Sequence, residues 1–316
     1  MPIDWLLSGE PFVKYRILID LLDRQEKDKE VVATKKLIRT HKLIKQIFTR
    51  QNKAGYWGTP NDIYKWFPKK DTTFWLLGIL ADLGFTKKDR RIAQACEYVF
   101  SNQHASGGFG CGPPLMPYDC FTGILTESLA KLGYVNDSRL KKAYEWLRQR
   151  QRLDGGFWCK NTGQPGEPRE KEPSCALATL YVLGALIQNP KLKNSTIARK
   201  SADFLLNCWE NRGKIKYAGH DSQIGSGWEK LKYPFTDYRI LKYLDTLSQL
   251  EFTKNDNRII QMINLLIAKR DEDGRFYAES IHECWSDFDF GQKKFPSRWI
   301  TMLVYRIVKR VLSILC

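Results

Sequence analysis

Two kinds of helical pattern alternate along this chain. In the first kind, apolar residues occupy nearly every position, as they do over residues 176–183. A helix that is apolar all round is buried on most of its sides. In the second kind, apolar residues form a single stripe, as Leu140, Ala143, Tyr144 and Leu147 do. This amphipathic spacing predicts helices that are half exposed. The chain is therefore predicted to alternate buried helices with surface helices.

A turn motif that ends in glycine and an aromatic residue separates these segments. Four copies recur at intervals of roughly 50–60 residues, within or just beyond the range in which sequence repeats report stacked units. The copies are Gln51–Trp57, Gln103–Phe109, Gln151–Phe157 and Arg270–Phe276. The motif predicts an array of similar units, each with one buried and one surface helix.

A second recurring signal marks where the buried helices begin. It is a proline, then a short polar residue, then an apolar run, and its copies are Pro68–Asp71, Pro117–Asp119, Pro173–Ser174, Pro234–Asp237 and Pro296–Ser297. Proline is excluded from helix interiors, whereas Asp, Ser and Thr accept hydrogen bonds from the free amides of a first turn. Gly84 and Gly133 are expected to end two buried helices in the left-handed conformation. The surface helices are expected to open at Asp89, Asp137, Asn194 and Asn255.

Repeated units of this kind form either an open solenoid or a closed ring. With five to six helix pairs, a ring with the buried helices inside is the more economical arrangement. The predicted fold is therefore all-α, an α/α toroid of inner and outer helices, with residues 1–316 as a single domain. Residues 5–23 and 34–51 make the first pair, and residues 297–315 form a last buried helix.

The net positive charge of the chain excludes few classes of binding partner. The net charge is +16, from 51 Lys and Arg against 35 Asp and Glu. These residues are scattered over polar helix faces, which favours a solvated surface. Attraction of an anionic ligand or a membrane surface is one alternative, and nucleic-acid binding is another. We expect no nucleic-acid partner.

The apolar segments also bear on location. No apolar run reaches the roughly 18 residues that a membrane span needs. Residues 1–5 contain no basic region leading into an apolar stretch, so we expect no secretory signal and a cytoplasmic location. Segment 299–312 is apolar with three cations at one end. It is interpreted either as a peripheral membrane contact or as the closing inner helix, and the second interpretation is favoured.

The repeated turn motif and the capped inner helices resemble the α/α-toroid superfamily of triterpene cyclases, class II diterpene cyclases and protein prenyltransferase β subunits. The resemblance extends from Trp5 to about Arg310 and is greatest to small single-toroid proteins with prenyltransferase and squalene cyclase repeats. The closing run from Asp287 to Thr301 is similar to theirs. The resemblance is specific for the fold and weak for the reaction, because one fold hosts many chemistries.

The acidic motifs of these enzymes are not found in the chain. Squalene-cyclase-type enzymes protonate an alkene with the middle carboxylic acid of an Asp-x-Asp-Asp motif, which is absent here, as is the Asp-Asp-x-x-Asp magnesium motif of ionising terpene synthases. The nearest approach is Asp287-Phe288-Asp289, whose aromatic neighbours could keep a carboxyl neutral by desolvation. The alternative role of this pair is to cap the helix 297–315, and that role is favoured.

Cysteines suggest a metal site. The resemblance to prenyltransferases, whose catalytic zinc is bound by Asp, Cys and His, points to Asp119 and Cys120, although the two are adjacent rather than one residue apart. Separately, Cys111 and Cys159 occupy equivalent places in consecutive turns, and Cys120 and Cys175 do so in consecutive inner helices. Four thiolates at one end of the ring would suit tetrahedral zinc. The favoured alternative is that they are small buried hydrophobic residues.

The resemblance to this superfamily implies an isoprenoid-handling enzyme, with zinc as the one cofactor considered. It would bind a prenyl chain or prenyl diphosphate in a central cavity whose aromatic residues could stabilise a carbocation. The alternative is a non-catalytic binding or scaffold toroid in which the aromatics simply pack. The candidate catalytic residues are Asp119, Asp237, His282, Asp287 and Asp289, with His282 as a possible general base. The candidate metal ligands are Cys111, Cys120, Cys159 and Cys175.

Overall fold

Helices form nearly all the regular structure of the protein. The computed structural model describes residues 1–59, 72–111, 115–158, 172–215, 217, 227–236 and 238–312. Within these ranges the β-structure is one antiparallel pair of two-residue strands, β1 (Gly110–Cys111) and β2 (Met116–Pro117). The all-α prediction is confirmed.

Inner and outer helices alternate after a short first helix, α1 (Ile3–Leu7). The inner helices are α2 (Pro11–Asp20), α5 (Thr73–Asp82), α7 (Asp119–Leu129), α9 (Ala176–Ile187), α11 (Ile240–Leu247) and α13 (Arg298–Leu312). The outer helices are α3 (Lys29–Thr40), α4 (Lys42–Thr49), α6 (Arg90–Ser101), α8 (Ser138–Arg148), α10 (Thr196–Glu210) and α12 (Asn257–Ile267). Every residue of α7, α9 and α11 is buried. A π-helical turn, Ala130–Tyr134, extends α7, and short 3-10 helices occupy Glu251–Thr253, Glu283–Trp285 and Asp289–Gly291.

The inner helices close into a ring. Each contacts the next from α5 through α7, α9 and α11 to α13, and α13 contacts α2. At the remaining junction, the Tyr15 ring of α2 packs against Gly84 at the end of α5, where a Cβ would lie 2.5 Å from a ring carbon. Gly84 also has a φ of 97°, in the left-handed region that favours glycine. The toroid prediction is confirmed, with five inner–outer pairs and a closing inner helix in the described ranges.

The glutamines of the turn motif join successive units. In three copies the side-chain Nε2 donates one hydrogen bond to the carbonyl of the motif's own glycine and another to a carbonyl of the next outer helix. Gln103 donates to Gly107 O at 2.6 Å and to Arg139 O at 3.0 Å, and Gln51 and Gln151 repeat the arrangement. A single side chain therefore fixes both the turn and the helix that follows it.

A threonine ties each turn to the following inner helix. The backbone N–H groups of Trp57, Phe109, Phe157 and Phe276 donate to Oγ1 of Thr73, Thr122, Thr179 and Thr301 at 2.8 or 2.9 Å. All four threonines are fully buried near the start of an inner helix. Because buried N–H groups need partners, the recurrence of this pair shows that the four corners are built alike.

One predicted helix is divided. The helix predicted over 34–51 is two helices, α3 and α4, because His41 between them has an extended backbone, with φ −61° and ψ 137°. The His41 ring packs edge-on against Phe12, with the ring centroids 5.4 Å apart. His41 therefore lies at a break between helices and not on an amphipathic helix.

Two predicted helix starts are displaced by one residue. The side chains of Asp89 and Asp137 cap α6 and α8 as predicted. Helices α10 and α12 are capped instead by Ser195 and Asp256, each one residue after the predicted asparagine. Asp256 also pairs with the guanidinium two residues later, at 2.7 Å, an arrangement that Asn would support less well because it carries no charge.

Helix α13 is the closing inner helix, as the favoured interpretation predicts. Trp299, Ile300, Val304 and Ile307 are among its buried residues. The helices of the described ranges all fall short of the length and apolarity that a membrane span requires.

Candidate functional site

A narrow cavity, which we name the central slot, lies among the inner helices and the segment that leads into α11. Its volume is about 40 Å³. Apolar and aromatic side chains form most of its wall, namely Phe74, Trp75, Ile79, Ile124, Tyr181, Tyr233 and Phe235. The rings contact one another edge to face, with centroids 4.8 Å apart for Phe74 and Trp75 and 5.1 Å apart for Tyr233 and Phe235. Aromatic rings therefore form much of the wall of the slot.

Four charged residues, which we name the slot pairs, also line this cavity. Lys242 of α11 donates to both oxygens of Glu127 of α7, at 2.6 and 2.7 Å. Lys131 lies 2.8 Å from Glu127 and 3.2 Å from Asp82 of α5. The Tyr233 hydroxyl donates to the other Asp82 oxygen at 3.0 Å. Three inner helices are therefore connected by ion pairs at the centre of the ring.

The slot pairs are charged because they neutralise one another. Burial raises the pKa of Glu127, but the adjacent Lys131 and Lys242 outweigh it and hold this pKa below its ordinary value. Burial lowers the pKa of Lys131, but Asp82 and Glu127 outweigh it and raise this pKa above the ordinary value. Glu127 is thus held as a carboxylate, which accepts hydrogen bonds and has no proton to give.

A second buried cluster, which we name the closing pairs, joins α2, α11 and α13. Arg306 lies 2.7 Å from Asp245 and 3.1 Å from Asp20. Arg310 lies 2.9 Å from Asp245, and Arg16 lies 2.8 Å from Asp20. Burial raises the pKa of Asp245, but Arg306 and Arg310 outweigh it and hold this pKa well below the ordinary range. Two of the cations that end segment 299–312 therefore face carboxylates inside the ring.

Acid is expected to destabilise the protein through these carboxylates. Glu127 and Asp245 bind protons less readily in the folded chain than in the unfolded chain, where their ordinary pKa values are 4.5 and 3.8. Their contribution to stability is therefore complete above about pH 5 and is lost as the pH falls through the lowered folded-state values. Urea denaturation at pH 7, 5 and 3 should give midpoints that hold to pH 5 and then fall. The fall should be smaller in a Glu127→Gln chain, and an equal fall would contradict this assignment.

The predicted catalytic residue Asp119 is buried at the start of α7. One carboxylate oxygen pairs with the Arg150 guanidinium, and the other accepts a hydrogen bond from the Trp158 amide at 3.1 Å. Arg150 in turn stacks over the Trp146 ring, 4.7 Å from its centroid. Asp119 therefore connects the inner helix to the turn that follows α8, at the opposite end of α7 from Glu127.

Of the predicted pair Asp287 and Asp289, the second lies at the start of α13. Asp289 accepts hydrogen bonds from the Ser297 hydroxyl at 2.6 Å and from the amides of Arg298 and Trp299 at 3.1 and 2.8 Å. These are the contacts of a helix cap, the alternative role that the sequence favours. Asp287 is exposed.

His282, another predicted catalytic residue, contacts a residue of the slot wall. Its Nε2 is 2.8 Å from the Thr236 hydroxyl oxygen, and Thr236 lines the central slot. Asp237 lies outside the described residues. Asp119, His282 and Asp289, which the structure does describe, have separate sets of partners and are not gathered around one point.

Replacing Asp289 by Ala is expected to lower the free energy of unfolding by about 1–3 kcal/mol, because it removes a helix cap and leaves first-turn donors without their acceptor. Urea denaturation measures this loss. Asp203→Ala, at an exposed position of α10, is the control and should change stability by less than about 0.5 kcal/mol. If Asp289→Ala left stability intact and abolished an activity, Asp289 would be a catalytic residue instead.

The predicted cysteine site is only half described. Cys120 and Cys175 are buried at the starts of α7 and α9, and the Cys175 sulfur accepts a hydrogen bond from the Ala178 amide at 3.3 Å. Cys159 and the Cys111 side chain lie outside the described residues. Among the side chains that the structure does place, no group of three or more His, Cys, Asp and Glu residues is arranged to hold a metal ion. The tetrathiolate site stays a prediction.

Sequence reasoning missed the charges at the centre of the ring. Glu127, Lys242, Asp245 and Arg306 each stand inside an inner helix that is otherwise largely apolar. An ionisable residue in a helix that is buried all round must be paired or neutralised. A charged residue within an apolar helix can be recognised in the sequence, although the sequence does not show which residue it pairs with.

Comparisons with known proteins agree with this architecture. The family model of the squalene-hopene cyclase C-terminal domain matches residues 66–248. A probable squalene–hopene cyclase from Sinorhizobium fredii is 24% identical over 182 residues, which cover 56% of this chain and 26% of that protein. The chain covers about a quarter of the length of the curated relatives it matches.

Solved structures share the overall fold. A protein from Actinoplanes is 16% identical with a TM-score of 0.50, covering 96% of this chain and 90% of the other. A polysaccharide lyase is 13% identical with a TM-score of 0.50 and the same coverage. At this level of identity the likeness concerns the fold alone, which does not determine the chemistry.

Proposed function

This chain belongs to the squalene-hopene cyclase C-terminal domain family, and from that premise we propose that it binds the hydrocarbon chain of an isoprenoid in the central slot. The observation that carries the proposal is the convergence of aromatic walls from α5, α9 and residues 233–235 on one cleft. Ligand sites are concave and mainly apolar, with a few polar groups that fix orientation. The slot has this composition.

The ion pairs of the slot pairs favour entry of the hydrocarbon end of an isoprenoid over entry of its charged headgroup. Both lysines are already bound to Glu127, so a diphosphate would have to displace a buried carboxylate to reach them. The aromatic wall carries no such obstacle. We therefore propose that the hydrocarbon end points inward and that any charged headgroup stays toward the turns at the inner-helix starts.

The slot pairs also argue against protonation of the ligand by the carboxylates that line the slot. A cyclase that starts by alkene protonation needs a neutral acid, and Glu127 is held ionised. Asp82 accepts hydrogen bonds from Lys131 and Tyr233. The proposed activity of the described slot is therefore binding, with any catalytic acid supplied from elsewhere.

A non-catalytic scaffold is the second candidate function, and the size of the slot favours it. A cavity of about 40 Å³ has room for only a few water molecules, and one isoprene unit is larger. Binding therefore requires side chains to move, and Phe235, which is partly exposed, lies where such movement is least hindered. In a scaffold, the side chains around the slot would keep their positions and no ligand would enter.

A thermal-shift titration with farnesol, farnesyl diphosphate and inorganic diphosphate separates these functions. Isoprenoid binding predicts stabilisation by both prenyl compounds and none by inorganic diphosphate. Gly78 lines the slot, and a Cβ there meets only the Ser128 hydroxyl, at 3.0 Å, so Gly78→Leu should fill the slot and remove the shift. Gly227→Leu is the matched control, because a Cβ there meets open space.

Three outcomes would count against the proposal. No shift with either prenyl compound would favour the scaffold. A shift that persists in Gly78→Leu would place binding outside the slot. Cyclised products from squalene or geranylgeranyl diphosphate, detected by mass spectrometry and lost in a Glu127→Gln chain that circular dichroism shows to be folded, would show that a slot carboxylate takes part in protonation after all.

A further inference from the structure

A second cavity lies at the C-terminal ends of the inner helices, and its volume is about 300 Å³. Residues of α2, α5, α11 and α13 line it, together with Gln188 directly after α9 and Lys131 in the π-helical turn. We propose that this polar cavity binds a small hydroxylated anion, a carboxylate or phosphate that carries several hydroxyl groups. The proposal does not rest on isoprenoid binding in the central slot.

The charge around this cavity calls for an anion. The slot pairs and closing pairs together contain five cations, Arg16, Lys131, Lys242, Arg306 and Arg310, and four carboxylates, Asp20, Asp82, Glu127 and Asp245. Glu26, which also lines the cavity, is matched by Lys35 at 2.9 Å. One positive charge is therefore left over in a largely buried cluster, where unbalanced charge is costly.

Arg310 lines the cavity, and its side chain is partly exposed. All the hydrogen bonds described for Arg310 come from Nη1, which donates to the backbone and side chain of Asp245. Its remaining N–H groups are available to a ligand, and guanidinium groups bind carboxylate and phosphate well.

Hydrogen-bonding side chains line the cavity. Arg306 is more than nine-tenths buried and is one of them. Gln188 and Gln249 also line the cavity, and their amides both donate and accept. Mixed donors and acceptors of this kind suit hydroxyl groups, which do the same.

The size of the cavity suits one small ring. A volume of about 300 Å³ is at the lower end of the range for ligand pockets, enough for a single hexose-sized molecule. Asp82 and Lys131 line both this cavity and the central slot, so their ion pair stands between the two. A ligand in one cavity need not enter the other.

Isothermal titration with glucuronate, glucose 6-phosphate, glucose and inorganic phosphate tests the proposal. We expect at least one of the two sugar anions to bind with a Kd below about 1 mM. Glucose, which lacks the charge, and phosphate, which lacks the hydroxyls, should bind at least about tenfold more weakly. The two sugar anions distinguish a carboxylate ligand from a phosphate ligand.

Substitutions of residues that line the cavity test whether the ligand binds there. Arg310→Gln and Gln188→Leu should each weaken binding at least about tenfold. Their matched controls are Arg148→Gln, at an exposed arginine, and Gln149→Leu, at the exposed glutamine directly after α8; both should bind as the unmodified chain does. If Arg310→Gln fails to fold, Gln188→Leu decides. Gly78→Leu should bind unchanged, which separates this proposal from the one for the slot.

Three results would contradict the proposal. Failure of both sugar anions to bind would leave the cavity a water-filled space and overturn the proposal. Phosphate binding as tightly as glucose 6-phosphate would indicate an adventitious ion only. Unchanged affinity in every folded cavity variant would place the ligand elsewhere on the protein.

Discussion

Replacing Glu127 by Gln is expected to lower the free energy of unfolding by about 3–5 kcal/mol. The amide keeps the shape of the carboxylate but removes the charge that faces two ammonium groups, and breaking a buried pair by neutralising one partner typically has this cost. Lys131 retains Asp82 at 3.2 Å, whereas Lys242 loses the one carboxylate with which it forms a described ion pair. Urea denaturation, followed by circular dichroism and by tryptophan fluorescence, measures the loss.

Two further variants show that the loss comes from an uncompensated charge. Glu127→Gln/Lys242→Met should recover most of the stability, because it removes the orphaned ammonium as well and buried pairs can be replaced by apolar groups with little loss. Glu145→Gln breaks an exposed pair with Arg148 and should cost less than about 1 kcal/mol. A double variant no more stable than Glu127→Gln would mean that packing, and not charge, holds these helices together.

Replacing Trp57 by Ala should also cost about 3–5 kcal/mol, the usual range for removing a buried tryptophan from a core. Trp57 is 0% exposed, its indole Nε1 donates to Ile47 O at 2.8 Å, and its ring lies 5.9 Å from that of Phe48. The substitution leaves a cavity where α4, the turn and α5 meet. Urea denaturation again measures the change.

Two comparisons make the Trp57 result specific. Trp57→Phe should cost less than Trp57→Ala, because the ring remains and only the indole hydrogen bond and some volume are lost. Tyr277→Ala, at a residue that is 38% exposed, removes an aromatic ring without opening the core and should cost less than about 1 kcal/mol. A Trp57→Ala chain as stable as Tyr277→Ala would show that this corner contributes little.

The repeat could be predicted because residues close together in sequence specify each turn. Each turn is specified by a few consecutive residues, and Gln103, for example, reaches both of its acceptors from within the motif. The inner helices could be recognised since helices buried on all sides need continuous apolar runs. The prediction was wrong at the His41 break, where the ring contacts Phe12 of another helix, and local sequence does not reveal such a contact.

The candidate site could not be predicted in the same way. Glu127 and Lys242 are 115 residues apart in sequence, and nothing near either residue indicates the other. The sequence instead drew attention to the starts of the inner helices, where Asp119 and Asp289 bind backbone amides. Asp237 and Cys159 lie outside the described residues, so the roles predicted for them remain predictions.

During translation, α2 is synthesised long before α13. Asp20 therefore has no Arg306 to pair with until 286 further residues have been added, and until then the apolar edge of α2 that contacts α13 is uncovered. Emerging chains with such edges are prone to stick to one another. Formation of α13 covers that edge and supplies the missing guanidinium in one step, so a single helix joins the first inner helix to the rest of the ring.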